Sequence, residues 1–226
     1  MDSRFIPEDL SVLIATYNRP EGLLNVLRTI PREIEVIVAD DGTLPELKLP
    51  DGIKFYTHEH DGNRVSTCRN EGAKLATRPK ILFLDDDVTP HGLCFAAHSL
   101  ALEMFDVSLG LLPQKKWHLY TDDRLMFYIN EEQILWNWCW TGNLAIRASA
   151  FWDVGGFDED TFNGSEEEPA MGYEDVDLGR RLWLKKYRMT LNRLAMANHP
   201  APHTAENPSE AILRNQERYK QKWGEV

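Results

Sequence analysis

Three aspartates in a row, Asp85-Asp86-Asp87, stand directly after the apolar run Ile81 to Leu84. Adjacent carboxylates repel one another and are tolerable where a divalent cation or a hydrogen-bond network neutralises them. Their hard oxygens suit Mg²⁺ or Mn²⁺. In an extended segment Asp85 and Asp87 point one way and Asp86 the other, so Asp85 and Asp87 are the pair expected to face a ligand. Asp40-Asp41-Gly42 ends a second apolar run, Ile34 to Ala39, and Thr16-Tyr17-Asn18-Arg19 ends a third, which starts at Ser11. A further acidic pair, Glu174-Asp175, stands at the start of a helical pattern. A helix N-terminus favours anionic side chains, which would keep Asp175 ionised.

The elements that must position these groups follow from periodicity. Ser11–Thr16, Ile34–Ala39, Ile53–Thr57 and Ile81–Leu84 read as strands, and Glu21–Ile30 and Arg64–Thr77 as the helices between them. Such alternation predicts a mixed α/β fold with a mainly parallel sheet flanked by helices. Ligands then sit at the carboxyl ends of the strands, where the three polar clusters would form one site. Further along, His91–Phe105 and Asp175–Lys186 read as helices, Gly142–Arg147 and Met189–Ala197 as strands, and Pro208–Trp223 as a terminal helix. Trp136, Trp138 and Trp140 alternate with Asn137 and Cys139, a period of two that predicts a strand. Asp158–Gly172 holds six acids and no base and predicts an exposed loop.

The 226 residues have no internal repeat or linker and predict a single domain, with a nucleotide-binding half to about residue 110 and an acceptor-facing half after it. No apolar run approaches the roughly 20 residues of a membrane helix, and Met1–Glu8 does not read as a secretory signal. Three widely spaced cysteines exclude a disulfide framework and point to a reducing, cytoplasmic setting, with attachment at a membrane surface left open. The net charge of −11 opposes a phosphate backbone as partner. Residues 180–226, however, carry 10 basic against 4 acidic side chains, so an anionic partner stays open there beside the plainer reading of a solvated helix face.

Several blocks together resemble glycosyltransferase family 2. Val12 to Pro20 resembles its first strand and turn, and Glu35 to Gly42 its second strand. Cys68-Arg69-Asn70-Glu71-Gly72 is similar to its Ala-Arg-Asn-x-Gly element, and Ile81 to Asp87 to its metal-binding Asp-x-Asp strand. Thr141 to Arg147 and Val154 to Glu159 resemble its middle blocks, and Gly172 to Leu178 the Glu-Asp motif that carries its base. Each block is weak alone, but all seven stand in the family's order. Asp85 to Thr89 also resembles the Asp-x-Asp-x-Thr signature of haloacid dehalogenase-like phosphatases, but that family places it on the first strand, whereas two strand–helix units precede it here.

The resemblance implies a GT-A (Rossmann-like) fold, a nucleoside-diphosphate sugar donor with uridine as the expected base, a divalent cation (Mn²⁺ or Mg²⁺) and inversion at the anomeric carbon. Ala15, Thr16, Tyr17 and Arg19 would face the base and ribose, with Asp40 or its neighbour Asp41 accepting from a base N–H. Arg69 would fork onto a phosphate or hold the base-binding loop. Asp85 and Asp86 belong to the donor site. Asp87 would hold the metal, completed by His199 or by His203. Asp175, with Glu174, would take the proton of an acceptor hydroxyl. Trp140, Gly142 and Asn143 are candidates to meet the sugar or acceptor, although most tryptophans, Trp117, Trp136 and Trp138 included, fill a core. The expected acceptor is a glycan or lipid-linked saccharide. A hydroxylated base in DNA is the alternative, and a non-catalytic nucleotide-sugar binder is the rival of another class.

Overall fold

The computed structural model describes residues 5–112, 136–199 and 209–224. His203 and Trp117 lie outside them. The elements are β1 (Leu10–Thr16), α1 (Pro20–Leu27), β2 (Glu35–Asp40), β3 (Lys54–Thr57), α2 (Val65–Leu75), β4 (Lys80–Asp85), β5 (Thr89–Pro90), α3 (Cys94–Ala101) and β6 (Val107–Leu111), then β7 (Asn143–Arg147), α4 (Ala148–Asp153), α5 (Glu159–Phe162), α6 (Glu174–Leu184), β8 (Met189–Asn198) and α7 (Glu210–Trp223). They build one eight-stranded sheet in the order β3-β2-β1-β4-β7-β6-β8-β5. The first four strands are parallel. β7 runs antiparallel to β4, and β6 pairs parallel with β8 across a register shift at Gly110/Leu111.

β1, β2 and β4 are apolar on both pleat faces because helices cover both sides of the sheet, which removes the polar alternation of a half-exposed strand. On one face Leu13, Ile37, Phe83 and Ile146 pack against Cys68 of α2, Phe151 of α4 and Leu178 and Leu182 of α6. On the other, Val12, Ile14, Val38 and Leu82 meet Leu23 and Val26 of α1 and Phe95 of α3. Each such fully buried side chain contributes about 1.5–3 kcal/mol. α1 starts with Pro20 in its first turn, where a missing N–H costs nothing. Ser209 caps α7, its hydroxyl accepting from the Ile212 N–H at 3.4 Å.

Two local expectations are corrected. Trp136–Trp138 forms a 3-10 turn, and Trp140 follows it outside any strand. The period of two came from packing: Trp136 is buried beneath α6, where Gly179 leaves room for its carbonyl, and a β-carbon at Gly179 would sit 2.2 Å from that oxygen. Asp158–Gly172 is not simply an exposed loop. It contains α5, capped by the Asp158 carboxylate on the Thr161 N–H, and buries Phe162 and Ala170. Phe162 packs on Tyr219 of α7. The acids of α5 serve the fold: Glu159 accepts from Thr67 (2.6 Å) and Asn70 (2.7 Å) of α2.

Part of the basic excess of the C-terminal part is spent inside the molecule. Arg181 pairs with Asp177, Lys185 with Asp153, Arg218 with Glu168, and Lys222 with both Asp158 and Asp177. Among the described residues no helix is long and apolar enough to cross a membrane.

Candidate active site

A cleft of about 300 Å³ opens at the carboxyl ends of β1, β2 and β4. It is lined by Ala15, Thr16, Tyr17 and Arg19 after β1, Asp41 after β2, Arg69 of α2, all three aspartates after β4, and His199 after β8. The polar strand ends thus lie side by side, because β1 pairs with both β2 and β4.

The three aspartates do not keep the alternation of an extended strand. β4 ends at Asp85 and the chain turns at once, with the Val88 N–H donating to the Asp85 carbonyl at 3.2 Å. Their side chains therefore fan out. Asp85 accepts from Arg69 at 3.2 Å. Asp86, placed opposite by the sequence reading, accepts from Thr16 at 2.7 Å and from Arg19 at 3.2 Å, so it locks the turn after β1 to the turn after β4. Asp87 accepts from Arg19 at 2.7 Å and lies 3.4 Å from His199 Nε2. Burial raises the pKa of Asp85 against the pull of Arg69, and that of Asp86 against Thr16 and Arg19. Asp87 and His199 fit a hard divalent cation: their spacing is close to that of neighbouring ligands on an octahedral ion with bonds of about 2.1 Å.

Asp40 and Asp41 separate cleanly. Asp40 is buried under its own turn, where it accepts from the Thr43 N–H (2.8 Å), from the Thr43 hydroxyl and from Thr57. It does not face the cleft, and Asp41 does. Gly42 follows at φ +82°, and a β-carbon there would sit 2.5 Å from the His60 nitrogen. The turn therefore presses on the loop after β3, and His60 Nδ1–H donates to the Asp41 carbonyl (2.8 Å) while its ring stacks on Tyr17 at 3.9 Å.

Arg69 ties the first half of the chain to the second. Its guanidinium is buried, donates to Glu174 at 2.7 Å and to Asp85 at 3.2 Å, and stands over the Phe157 ring. It bridges two carboxylates, where the sequence reading offered a phosphate fork or a hold on the base-binding loop. Glu174 and Asp175 are delivered by two successive left-handed residues, Gly172 (φ +77°) and Tyr173 (φ +71°), before α6 begins. The second oxygen of Glu174 is buried with no hydrogen-bond partner. The helix N-terminus was expected to keep Asp175 ionised, but burial and the neighbouring Glu174 outweigh Arg69 and push its carboxyl up to about 7.

Of the candidates to meet a sugar, Gly142 lies against the cleft, since a β-carbon there would sit 3.0 Å from Asp85 Oδ2. Asn143 does not. It is buried behind β6 and β8, bonded to His98 (2.9 Å) and to the Ala195 carbonyl (2.9 Å). Trp140 stacks on Trp138 beside Leu111 and Met196 rather than among the cleft-lining residues. Sequence reading missed Asn63, Val65 and Cys68, which line the cleft, and His58, which binds Asp41 at 2.5 Å. The signal was present: His58, His60 and Asn63 crowd one loop between a strand and a helix.

A parallel half-sheet with its acidic cleft at the strand ends, extended by a mixed half that brings in an acid pair, defines a GT-A protein. Residues 11–103 match the profile of glycosyl transferase family 2, and the chain belongs to that family. The validoxylamine A glucosyltransferase of Streptomyces hygroscopicus subsp. limoneus is 32% identical, over 94% of this chain and 56% of that protein. The pre-mycofactocin glycosyltransferase of Mycobacterium tuberculosis is 27% identical, over 84% of this chain and 42% of that protein. The chain therefore spans about half the length of these relatives. The structure of GalNAc-T7 with UDP, GalNAc and Mn²⁺ superposes with a TM-score of 0.69 at 16% identity, over 95% of this chain and 48% of that one. S. aureus TarS 1–349 in complex with UDP-GlcNAc gives 0.63 at 18% identity, over 89% and 61%. These two share the fold.

Proposed function

We propose that this chain is a glycosyltransferase that moves a sugar from a nucleoside-diphosphate sugar, with uridine as the favoured base, to a hydroxyl of its acceptor, with inversion. The observation that carries the reading is the Arg69 bridge. It holds Glu174, and with it Asp175, beside Asp85 at the strand-end cleft, so a donor group and an acid pair share one site.

Each residue then has a task. Tyr17 and Asp41 line the end of the cleft that takes the base, and Asp85 meets ribose or sugar hydroxyls. Asp87 and His199 hold a divalent cation, which when bound offsets the charge of the diphosphate leaving group. Asp175, with a carboxyl pushed up to about 7, accepts the proton of the attacking hydroxyl. The partnerless oxygen of Glu174 accepts from a substrate hydroxyl. The first half binds donor and the second presents the acceptor.

Two relatives are named for validoxylamine A and pre-mycofactocin, and a hydroxylated small molecule of that kind stands as acceptor beside the glycan or lipid-linked saccharide expected from the sequence. The DNA alternative is weakened, because Arg181, Lys185, Arg218 and Lys222 of the basic set that suggested it are paired with acids of the same chain.

Thermal shifts against nucleoside diphosphates and their sugars, with Mn²⁺, Mg²⁺ or chelator, test the reading. A ligand of the native state raises the melting temperature by mass action. A metal-dependent rise with one nucleotide class is expected. No rise with any donor in a folded sample refutes the donor site.

A further inference from the structure

The helix that carries the acid pair has no side-chain cap of its own. Its N-cap position is Tyr173, in the left-handed region at φ +71° directly after Gly172 at φ +77°. Helices commonly begin on Ser, Thr, Asp or Asn, whose side chains bind the first N–H groups. A left-handed tyrosine persists only where its surroundings hold it. Here those surroundings are α7. The Ala211 carbonyl accepts from the Met171 N–H at 3.2 Å, Asn215 Nδ2 donates to the Gly172 carbonyl at 2.8 Å, and the Tyr219 ring packs on the Tyr173 ring at 5.5 Å. We propose that Asn215 is a positioning residue for the acid pair: it fixes the Gly172–Tyr173 turn and, through that turn, the place of Asp175 at the cleft. What that placement does chemically rests on the transferase reading.

Asn215 is fully buried. Its amide nitrogen has two N–H donors, and the second partner is the Phe162 carbonyl at 3.0 Å, at the end of α5. Its oxygen accepts from Arg218 at 3.2 Å. A short amide suits this place: aspartate offers no N–H when ionised, and leucine would strand two carbonyls. α5 in turn binds Asn70, the neighbour of Arg69, through Glu159 at 2.7 Å. Asn215 therefore joins the turn that delivers Glu174 to the frame that holds its partner Arg69. Further along α6, Asp177 accepts from Lys222 (2.7 Å) and Trp223 (2.8 Å) of α7. α7 thus grips the chain before and after Asp175.

Two effects follow from loosening the turn. Water reaches Asp175, whose carboxyl is pushed up to about 7 by burial and by Glu174. The base also shifts against the hydroxyl it serves, and misplacing a reacting group by about 1 Å costs about 10²-fold in rate. A residue that only added stability would produce neither effect in a folded protein.

The test uses the whole chain with Asn215→Ala, and with Asn215→Ser as the milder change that keeps one donor. Val26→Ala, in the core on the other face of the sheet, controls for lost stability alone. Circular dichroism confirms the fold of each variant. Asp175 is titrated by carboxyl-carbon NMR, its signal assigned with Asp175→Asn. Turnover is read as UDP released from UDP-glucose with water as acceptor: the water oxygen bonds to the anomeric carbon, the bond to UDP breaks, and a water proton passes to Asp175. Asn215→Ala should lower the Asp175 titration by about one pH unit or more. It should lower kcat about 10²-fold with KM for UDP-glucose unchanged. Asn215→Ser should fall between it and wild type, and Val26→Ala should lower the melting temperature and move neither readout. An Asp175 titration unmoved in the folded Asn215 variants, or a kcat loss no larger than that of Val26→Ala, would overturn the proposal. A wild-type chain that releases no UDP, with the titration moving as expected, would set aside UDP-glucose as donor and still uphold Asn215.

Discussion

Arg69→Met isolates the bridge at the centre of the site. The substitution keeps the length of the side chain against Phe157 and removes the charge. Arg69 and Glu174 are each 7% exposed at the side chain, so their pair at 2.7 Å is a buried one. Removing one member of a buried pair strands the other and costs about 3–5 kcal/mol. For a protein of this size each kcal/mol lowers the melting temperature by about 2–4 °C, so the expected drop is about 6–20 °C. Asp85 is 38% exposed, and solvent screening makes its share of the loss small.

The drop has a pH signature. In the native protein burial holds the Asp85 and Asp175 carboxyls above their ordinary 3.8. A carboxyl raised by folding costs stability as pH climbs from its unfolded toward its folded value. Without Arg69 the Asp85 and Asp175 carboxyls rise further, so this cost grows near pH 8 and fades near pH 5, where they take up protons. Differential scanning calorimetry of both proteins across that range is the assay, with Arg69→Met/Glu174→Gln as the companion that should recover part of the loss. A folded Arg69→Met protein that melts within about 2 °C of wild type, or a drop that is the same at both ends of the range, refutes the reasoning.

Other expectations are briefer. Asp175→Asn should lower transfer about 10²- to 10⁴-fold while nucleotide-induced stabilisation persists; more than a tenth of wild-type activity would remove Asp175 as the base. Wild-type turnover should rise with pH through about 7, as Asp175 ionises, and a profile flat from pH 5 upward would contradict that role. Asp87→Ala should abolish the metal dependence of nucleotide binding, read by titration with and without chelator. Gly42→Ala should destabilise the chain, because its β-carbon would meet the His60 nitrogen at 2.5 Å from a left-handed backbone; an unchanged melting temperature would show that the loop yields freely.

Much of the first half was legible because two-sided burial gives unbroken apolar strands: Ser11–Thr16, Ile34–Ala39 and Ile81–Leu84 fall within one residue of β1, β2 and β4. The strand–helix alternation also predicted that the polar strand ends would meet at one site. Pairing inside the site was not legible. Nothing local says that Asp40 turns under its own loop while Asp41 faces the cleft, or that Arg69 meets Glu174, 105 positions away. Trp136–Trp140 misled because aromatic alternation arose from packing beneath α6, not from a pleat. Asn143 misled because a polar side chain near the site found its partners behind the sheet, in His98 and the Ala195 carbonyl. The acids of Asp158–Gly172 read as solvated because their partners lie in α2 and α7, far off in sequence.

The neighbours of β4 set a clock on biosynthesis. β1 completes one side of β4 from residues already made, but β7, which covers the other side, begins some 60 positions later. At a synthesis rate of about 5–20 residues per second, the Ile81–Leu84 edge waits roughly 3–12 seconds for its partner. During that interval the nascent chain carries an open apolar strand, the form most prone to join a strand of another chain. The time to reach β7, rather than the stability of the finished sheet, sets how long each new molecule is exposed to that encounter.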